Sequence, residues 1–199
     1  MTRFDRTRGA ALLTALFVLL ALTIIGMSAA QTALNAEKSA RIERDRHLAF
    51  QGAEAGLVDA ERDIEGGADP ASARAARFAA GSALGFVDGC GAGPAGPNLG
   101  LCAYVPAAPA WQLAELADAA TAYGTFTGAV LPAGAGALPA RLPRYVIELM
   151  PLVSAGEDAG QTNGNLYRIT AIGFGARDST HVVLQAFYRK VAPNAASLQ

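Results

Sequence analysis

From Gly9 to Asp69 the chain contains no proline, and from Ala10 to Ala30 it contains no charged residue. A stretch this long without a breaker predicts one helix from Gly9 to about Glu65. At about 1.5 Å per residue it would be roughly 80 Å long. About 30 Å of that length suits the hydrocarbon layer of a bilayer, and the remainder is polar enough for water. Gly66-Gly67 supplies a natural stop, since glycine accepts the left-handed backbone that ends many helices. The rest of the chain is then a head carried by this helix.

The charges before the apolar run set its direction. Arg3, Arg6 and Arg8 stand against a single Asp5. A positive flank holds the N-terminus in the cytoplasm and sends the C-terminus across the membrane. A secretory signal would have a shorter apolar core, about 7–15 residues, closed by a small-residue site. Here the run is long enough to span, and Ser28-Ala29-Ala30 is an ambiguous site at best. An ordinary signal anchor accounts for these features too. The expected organisation is a leader over 1–9, a helix over 10–66 with 10–30 in the membrane, and a head over 67–199.

Beyond Ala30 the helix becomes amphipathic. Ile42, Ala49, Phe50, Ala53, Leu57, Ala60 and Ile64 recur at steps of three and four, which makes one apolar stripe. Ile42, Phe50, Ala53, Leu57 and Ile64 are the residues expected to pack the helix onto the head. Glu37 with Arg41, and Arg41 with Asp45, stand four apart and can pair. Lys38, Arg41, Arg44 and Arg46 come early, and Glu54, Asp59, Glu61, Asp63 and Glu65 come late. Most of these charges read as a solvated helix face.

In the head, Asp69 is a good N-cap and Pro70 a good first helical residue, predicting a short second helix. Gly81 to Pro143 is Ala/Gly/Pro-rich, a connector laid over a sheet, with a possible helix at Trp111–Ala120. The C-terminal third is β: Arg144–Val153, Leu166–Phe174 and Thr180–Lys190 carry β-branched and aromatic residues with partial alternation. Ser154–Asn165 separates the first two strands, and Gly175–Ser179 is short enough for a hairpin turn. The fold class expected is α+β, a long N-terminal helix packed on a small C-terminal antiparallel sheet. The two cysteines, Cys90 and Cys102, are either free thiols or a bridge. The outward direction of the chain favours a bridge between them.

The sequence argues against catalysis. Gly91-Ala-Gly-Pro-Ala-Gly96 has the letters of a dinucleotide fingerprint, but Pro94 and Pro97 prevent a helix from starting there. Asp178, Ser179 and His181 are too close in one turn to form a triad. His47 and His181 lack Cys or His partners at metal-ligand spacing. A net charge of -1 gives no general attraction to nucleic acid. No enzyme activity, cofactor, metal or small-molecule substrate is expected.

Positive information comes from Arg8-Gly9-Ala10 joined directly to the apolar run. A short basic leader ending in glycine resembles the class III leader of type IV pilins and type II secretion pseudopilins. Arg44-Asp-Arg-His-Leu-Ala-Phe-Gln-Gly-Ala-Glu-Ala-Gly-Leu-Val-Asp-Ala-Glu61 is similar to the N-terminal region of the PilX family of minor pilins. Leu166-Tyr-Arg-Ile-Thr-Ala-Ile-Gly-Phe-Gly175 and Val182-Val-Leu-Gln-Ala-Phe-Tyr-Arg189 resemble that family's ending. Gly66–Pro143 carries no part of the resemblance.

The resemblance implies cleavage by the prepilin peptidase after Gly9 and N-methylation of Ala10. It implies an inner-membrane protein with a periplasmic head that enters an extracellular pilus, with other minor pilins and the major pilin as partners. Most pilins place a glutamate four residues after the mature N-terminus, where this chain has Thr14. That carboxylate is thought to meet a neighbour's amine in the apolar filament core and so set the register. Thr14 cannot make the pair, which suits a subunit at the tip. The alternatives are the tip-type minor pseudopilin of a type II secretion system and a membrane-anchored periplasmic binding module.

Overall fold

The structure is a computed structural model that describes residues 7–90, 96–112, 120–151 and 164–191, the side chains of residues 7–9 and 111 excepted. The expectations placed on residues 1–6, 91–95, 113–119 and 152–163 lie outside the described residues. Residues up to Arg44 and those from Asp45 onward form two compact units.

In the first unit a single helix, α1 (Thr7–Ile64), runs through the Gly9-Ala10 junction and on past Arg44. Its N-terminal part is long and apolar enough to cross a membrane, with a mean hydropathy of 2.6 in the most apolar window. All side chains from Ala10 to Arg44 are exposed. Arg41 pairs with Glu37 at 2.5 Å, one of the two pairings its spacing allowed.

In the second unit the last five turns of α1 lie against a five-stranded sheet of β1 (Leu101–Ala103), β2 (Thr121–Ala122), β3 (Arg144–Met150), β4 (Gly164–Phe174) and β5 (His181–Val191). β3, β4 and β5 are antiparallel neighbours, with Tyr145 opposite Ala171 and Ile169 opposite Ala186. The other edge of β3 is shared. β2 pairs antiparallel with Arg144 and Tyr145, and β1 pairs parallel with Ile147 to Leu149. The sheet is therefore mixed, because the middle segment, expected as a connector, adds these two short strands.

Period-two alternation sorts the strands onto two faces. Tyr145, Ile147, Tyr167, Ile169, Ala171 and Leu101 face α1 and pack with Ala60 and Ile64. Val146 and Cys102 face the other way, with Cys90, Ala110 and Ala120. Beyond Gly66 and Gly67, at φ 121° and 62°, the chain turns back as expected. The Gly67 amide bonds the Arg62 carbonyl at 2.9 Å, and Lys190 Nζ caps the Ile64 carbonyl at 2.5 Å. A cation at a helix C-terminus also suits the helix dipole.

The helix expected after Pro70 does not form. Asp69 Oδ1 accepts the Ala71 amide at 2.9 Å, an Asx turn, and the segment tightens into a single 3-10 turn at Ala75–Phe78. That turn delivers Phe78 to the core, edge-on to Phe86 and Tyr167 with ring centroids 6.1 and 5.7 Å apart. Ala110–Gln112 is likewise one 3-10 turn.

Cys90 and Cys102 form a disulfide, both residues buried, beside the parallel contact of Val87 with Cys102. The bridge closes the loop that feeds β1 into the sheet. Cys90→Ser with Cys102→Ser is expected to cost about 3 kcal/mol, from the loop entropy returned to the unfolded chain. Chemical denaturation of the oxidised protein against the double variant measures it.

Candidate assembly surfaces

The apolar half of α1 gives neighbours an almost featureless hydrocarbon surface. Leu12, Leu16, Phe17, Leu20, Ile24 and Met27 are exposed. The interruptions are hydroxyls, and these turn inward. Thr14 Oγ1 donates to the Ala11 carbonyl at 3.0 Å, Thr23 to Leu20 at 2.7 Å and Thr32 to Ser28 at 2.9 Å. Such back-bonding is the usual recourse of a mid-helix hydroxyl. Thr14 thus sits on the exposed helix surface with its donor already used.

The docked half works differently. Of the stripe residues, Ala53 and Ile64 are buried, and Leu57 packs beside the core. Ile42 and Phe50 correct the expectation, being 55% and 40% exposed. The buried face is instead centred on small residues: Ala49, Gly52, Ala53, Gly56 and Ala60. Gly173 of β4 lies directly against it. A Cβ there would collide with the helix backbone at the Ala49 carbonyl and the Ala53 amide. A side chain as large as Phe50 could not occupy so close a seam. The three- and four-residue steps of apolar residues identify the helix, but residue size decides which side approaches the sheet.

Asp59 and Asp63, late charges read as part of a solvated face, are buried instead, as is Asp45, expected to be able to pair with Arg41, and each of the three holds a different loop. Asp45 accepts from the Ala176 amide at 2.6 Å, Arg177 Nε at 2.9 Å and Thr180 Oγ1 at 2.6 Å, which ties down the β4–β5 turn. Asp59 accepts from the Gly124 amide at 2.8 Å and from the Thr127 hydroxyl. Asp63 takes Arg74 through both carboxylate oxygens, at 3.0 and 2.5 Å, and the Tyr145 hydroxyl at 3.0 Å. Arg74 Nη1 donates to the Pro97 and Leu99 carbonyls at 2.9 and 2.8 Å. Its guanidinium also lies 4.1 Å from the Phe126 ring centroid. Burial, and then the Asp63 carboxylate, push the Tyr145 hydroxyl up, so it stays a donor.

The Thr180 hydroxyl, followed by Arg177 and the turn amides, outweighs burial and holds Asp45 at about 2, against an ordinary 3.8. A depressed carboxylate stabilises the fold above its unfolded value and loses that contribution as pH falls through the folded one. The β4–β5 turn is therefore expected to loosen between about pH 4 and pH 2. Asp45→Asn should remove this step from the pH dependence of amide exchange at residues 176–180.

On the far face of the sheet Glu148 is buried and pairs with Arg168 through two bonds of 2.7 Å, while accepting the Ala110 amide at 3.2 Å. It fixes the segment between β1 and β2. Asp178 pairs with Arg141 at 2.5 Å. Strand β5, at the sheet edge, exposes Val183, Phe187 and Val191. Among the described residues no cluster of His, Cys, Asp or Glu could hold a metal.

The family profile described as PilX N-terminal matches residues 8–58, the apolar helix and most of its docked half. The profile described as Type IV pilus assembly protein PilX C-term matches residues 88–190, more than half of the chain. This second match includes the bridged loop and the two short strands, for which the sequence alone offered no resemblance. No curated protein and no solved structure matches the chain significantly. A head of this build on a helix of this kind, matched at both ends, belongs to the PilX family of type IV pilus minor pilins.

Proposed function

We propose that this minor pilin takes part in priming pilus assembly and sits at or near the pilus tip. In this reading the prepilin peptidase removes residues 1–9, and the amine of Ala10 is methylated. The protein waits in the inner membrane with its head in the periplasm, then leaves with the filament. Its partners are other minor pilins and the major pilin.

The observation that carries the reading is Thr14. The resemblance to pilins implies a carboxylate at this place in shaft subunits, facing the amine of a neighbour. A shaft subunit needs both an amine and a carboxylate, because either charge alone is costly in an apolar core. Here the hydroxyl is spent on the Ala11 carbonyl. The subunit can offer Ala10 to one neighbour but has no carboxylate for another, which suits the end assembled first.

Processing and position in the filament are tested separately. Intact mass of the membrane-extracted protein should correspond to a chain starting at a methylated Ala10. A mature terminus at Met1 or Thr2 in a peptidase-competent cell would overturn processing. Labelled protein should mark the ends of sheared filaments, and deletion should lower pilus number more than pilus length. Labelling along the whole shaft would overturn the tip position. Gly9 replaced by a bulky residue should mimic deletion, because Arg8 and the leader stay attached.

A further inference from the structure

The turn over residues 87–90 is held at both ends, while its middle lies open. Cys90 sits at φ 60°, the only non-glycine residue with positive φ among the described residues. A side chain crowds the backbone there, so the conformation persists only where its surroundings impose it. At Cys90 the bridge to Cys102 fixes the side chain. At the other end the Val87 carbonyl accepts the Cys90 amide at 3.3 Å and the Ala103 amide of β1 at 2.8 Å. Asp88 and Gly89, between them, are exposed. Neither the Asp88 carboxylate nor the Gly89 amide has a hydrogen-bond partner among the described residues. Beyond its chain neighbours, Gly89 has no heavy atom within 4 Å of the place a Cβ would take.

We propose that the Asp88-Gly89 peptide is a modification site, where the backbone isomerises spontaneously from an α-linked aspartate to a β-linked isoaspartate. The Gly89 nitrogen attacks Cγ of the neutral Asp88 carboxyl group, and a five-membered imide closes. The new N–Cγ bond replaces the N–H bond and the Cγ–OH bond, whose hydrogen and hydroxyl leave as water. Water then adds to one of the two imide carbonyls. Addition at Cγ restores aspartate. Addition at the main-chain carbonyl breaks the original peptide bond, and the chain continues through Cγ at unchanged mass. Water is the only co-reactant. Attack needs a nitrogen that no neighbouring Cβ shields and no hydrogen bond holds, and Gly89 meets both conditions. The other described aspartates do not. Asp45, Asp59 and Asp63 are buried, Asp69 precedes Pro70, which has no N–H, and Asp178 is paired with Arg141. The product has one more main-chain atom between Val87 and Cys90, which lets Cys90 leave its strained φ with the bridge intact. The same extra atom loosens the hold of the Val87 carbonyl on β1. The site is independent of the filament role proposed above.

The test uses the full-length, oxidised protein in detergent, kept warm for several weeks at about pH 5 and about pH 8. After reduction and chymotryptic digestion, electron-transfer fragmentation distinguishes isoaspartate from aspartate in the peptides that carry residues 88 and 178. Isoaspartate at 88 is expected at roughly ten times its level at 178, since Ser179 has a Cβ and Gly89 has none. The yield should be greater at about pH 5, because only the neutral carboxyl group reacts. Asp88→Glu keeps the charge but would have to close a larger ring, so it should stay unmodified. Hydrogen exchange at the Ala103 amide should be about threefold faster in the isomerised fraction than in Asp88→Glu kept the same way. Isoaspartate at 88 no higher than at 178 would overturn the site, as would a yield that rises towards about pH 8. Equal exchange at Ala103 would overturn the loosening of β1.

Discussion

Gly173→Ala is expected to unfold or severely loosen the head, while Gly52→Ala, its partner across the same seam, is expected to be mild. Gly173 has no positive φ, so the constraint is steric. A Cβ on it would enter the helix backbone itself, coming within 2.7 Å of the Gly52 carbonyl carbon. Backbone cannot move aside as a side-chain tip can, so α1 would have to lift from β4. A Cβ on Gly52 instead meets the Gly173 Cα at 3.4 Å, an ordinary contact. Overpacking a core costs about 1–3 kcal/mol even where neighbours can adjust, and here they cannot. Stability of a domain this size is only about 5–15 kcal/mol in total. Thermal unfolding of both variants, in detergent, would check the difference. Equal losses would mean that the seam is set by something other than this one approach.

The second large effect is expected at Asp63. Asp63→Asn leaves the Arg74 guanidinium, 4% exposed, without its countercharge. Removing one partner of a buried pair costs about 3–5 kcal/mol, because the remaining charge is stranded. The damage should spread, since Arg74 also gathers the Pro97 and Leu99 carbonyls that lead into β1. Asp63→Leu combined with Arg74→Met should recover a good part of the loss, because no charge is then left unpaired. Tyr145 would lose its acceptor in that double variant, so Tyr145→Phe should complete the recovery. Denaturation midpoints of the single, double and triple variants give the comparison. A double variant no better than Asp63→Asn would show that the pair is needed for more than neutralising Arg74.

What the sequence made legible depended on local pattern. The apolar run, the double-glycine stop and the alternation of Tyr145, Ile147, Tyr167 and Ile169 identify α1, its end and the three long strands. The cysteine pairing followed from the direction of the helix. Leu101–Ala103 was missed as a strand because three residues after a glycine carry no period. Its partner, β3, is more than forty residues away and is joined in parallel. Asp59 and Asp63 read as solvated, and Asp45 as a partner for Arg41, because an exposed and a buried aspartate look alike in a charged stretch. Their partners, Thr180, Gly124 and Arg74, are supplied by loops whose paths only the fold defines. Phe50 was assigned inward on hydrophobicity, yet the approach of Gly173 reserves that side for small residues.

The inward hydroxyls of Thr14, Thr23 and Thr32 have a consequence for the exchange of surroundings. A helix with dangling donors would be held wherever it found an acceptor, and moving it would cost a hydrogen bond each time. Here each of these donors carries its acceptor with it on the same helix. Lipid tails and the side chains of neighbouring helices then differ little as environments, apart from how closely they pack. In the filament role proposed above, such a segment would pass from one to the other with its internal bonding intact, and the direction of transfer would be left to packing and to the few charges at its two ends.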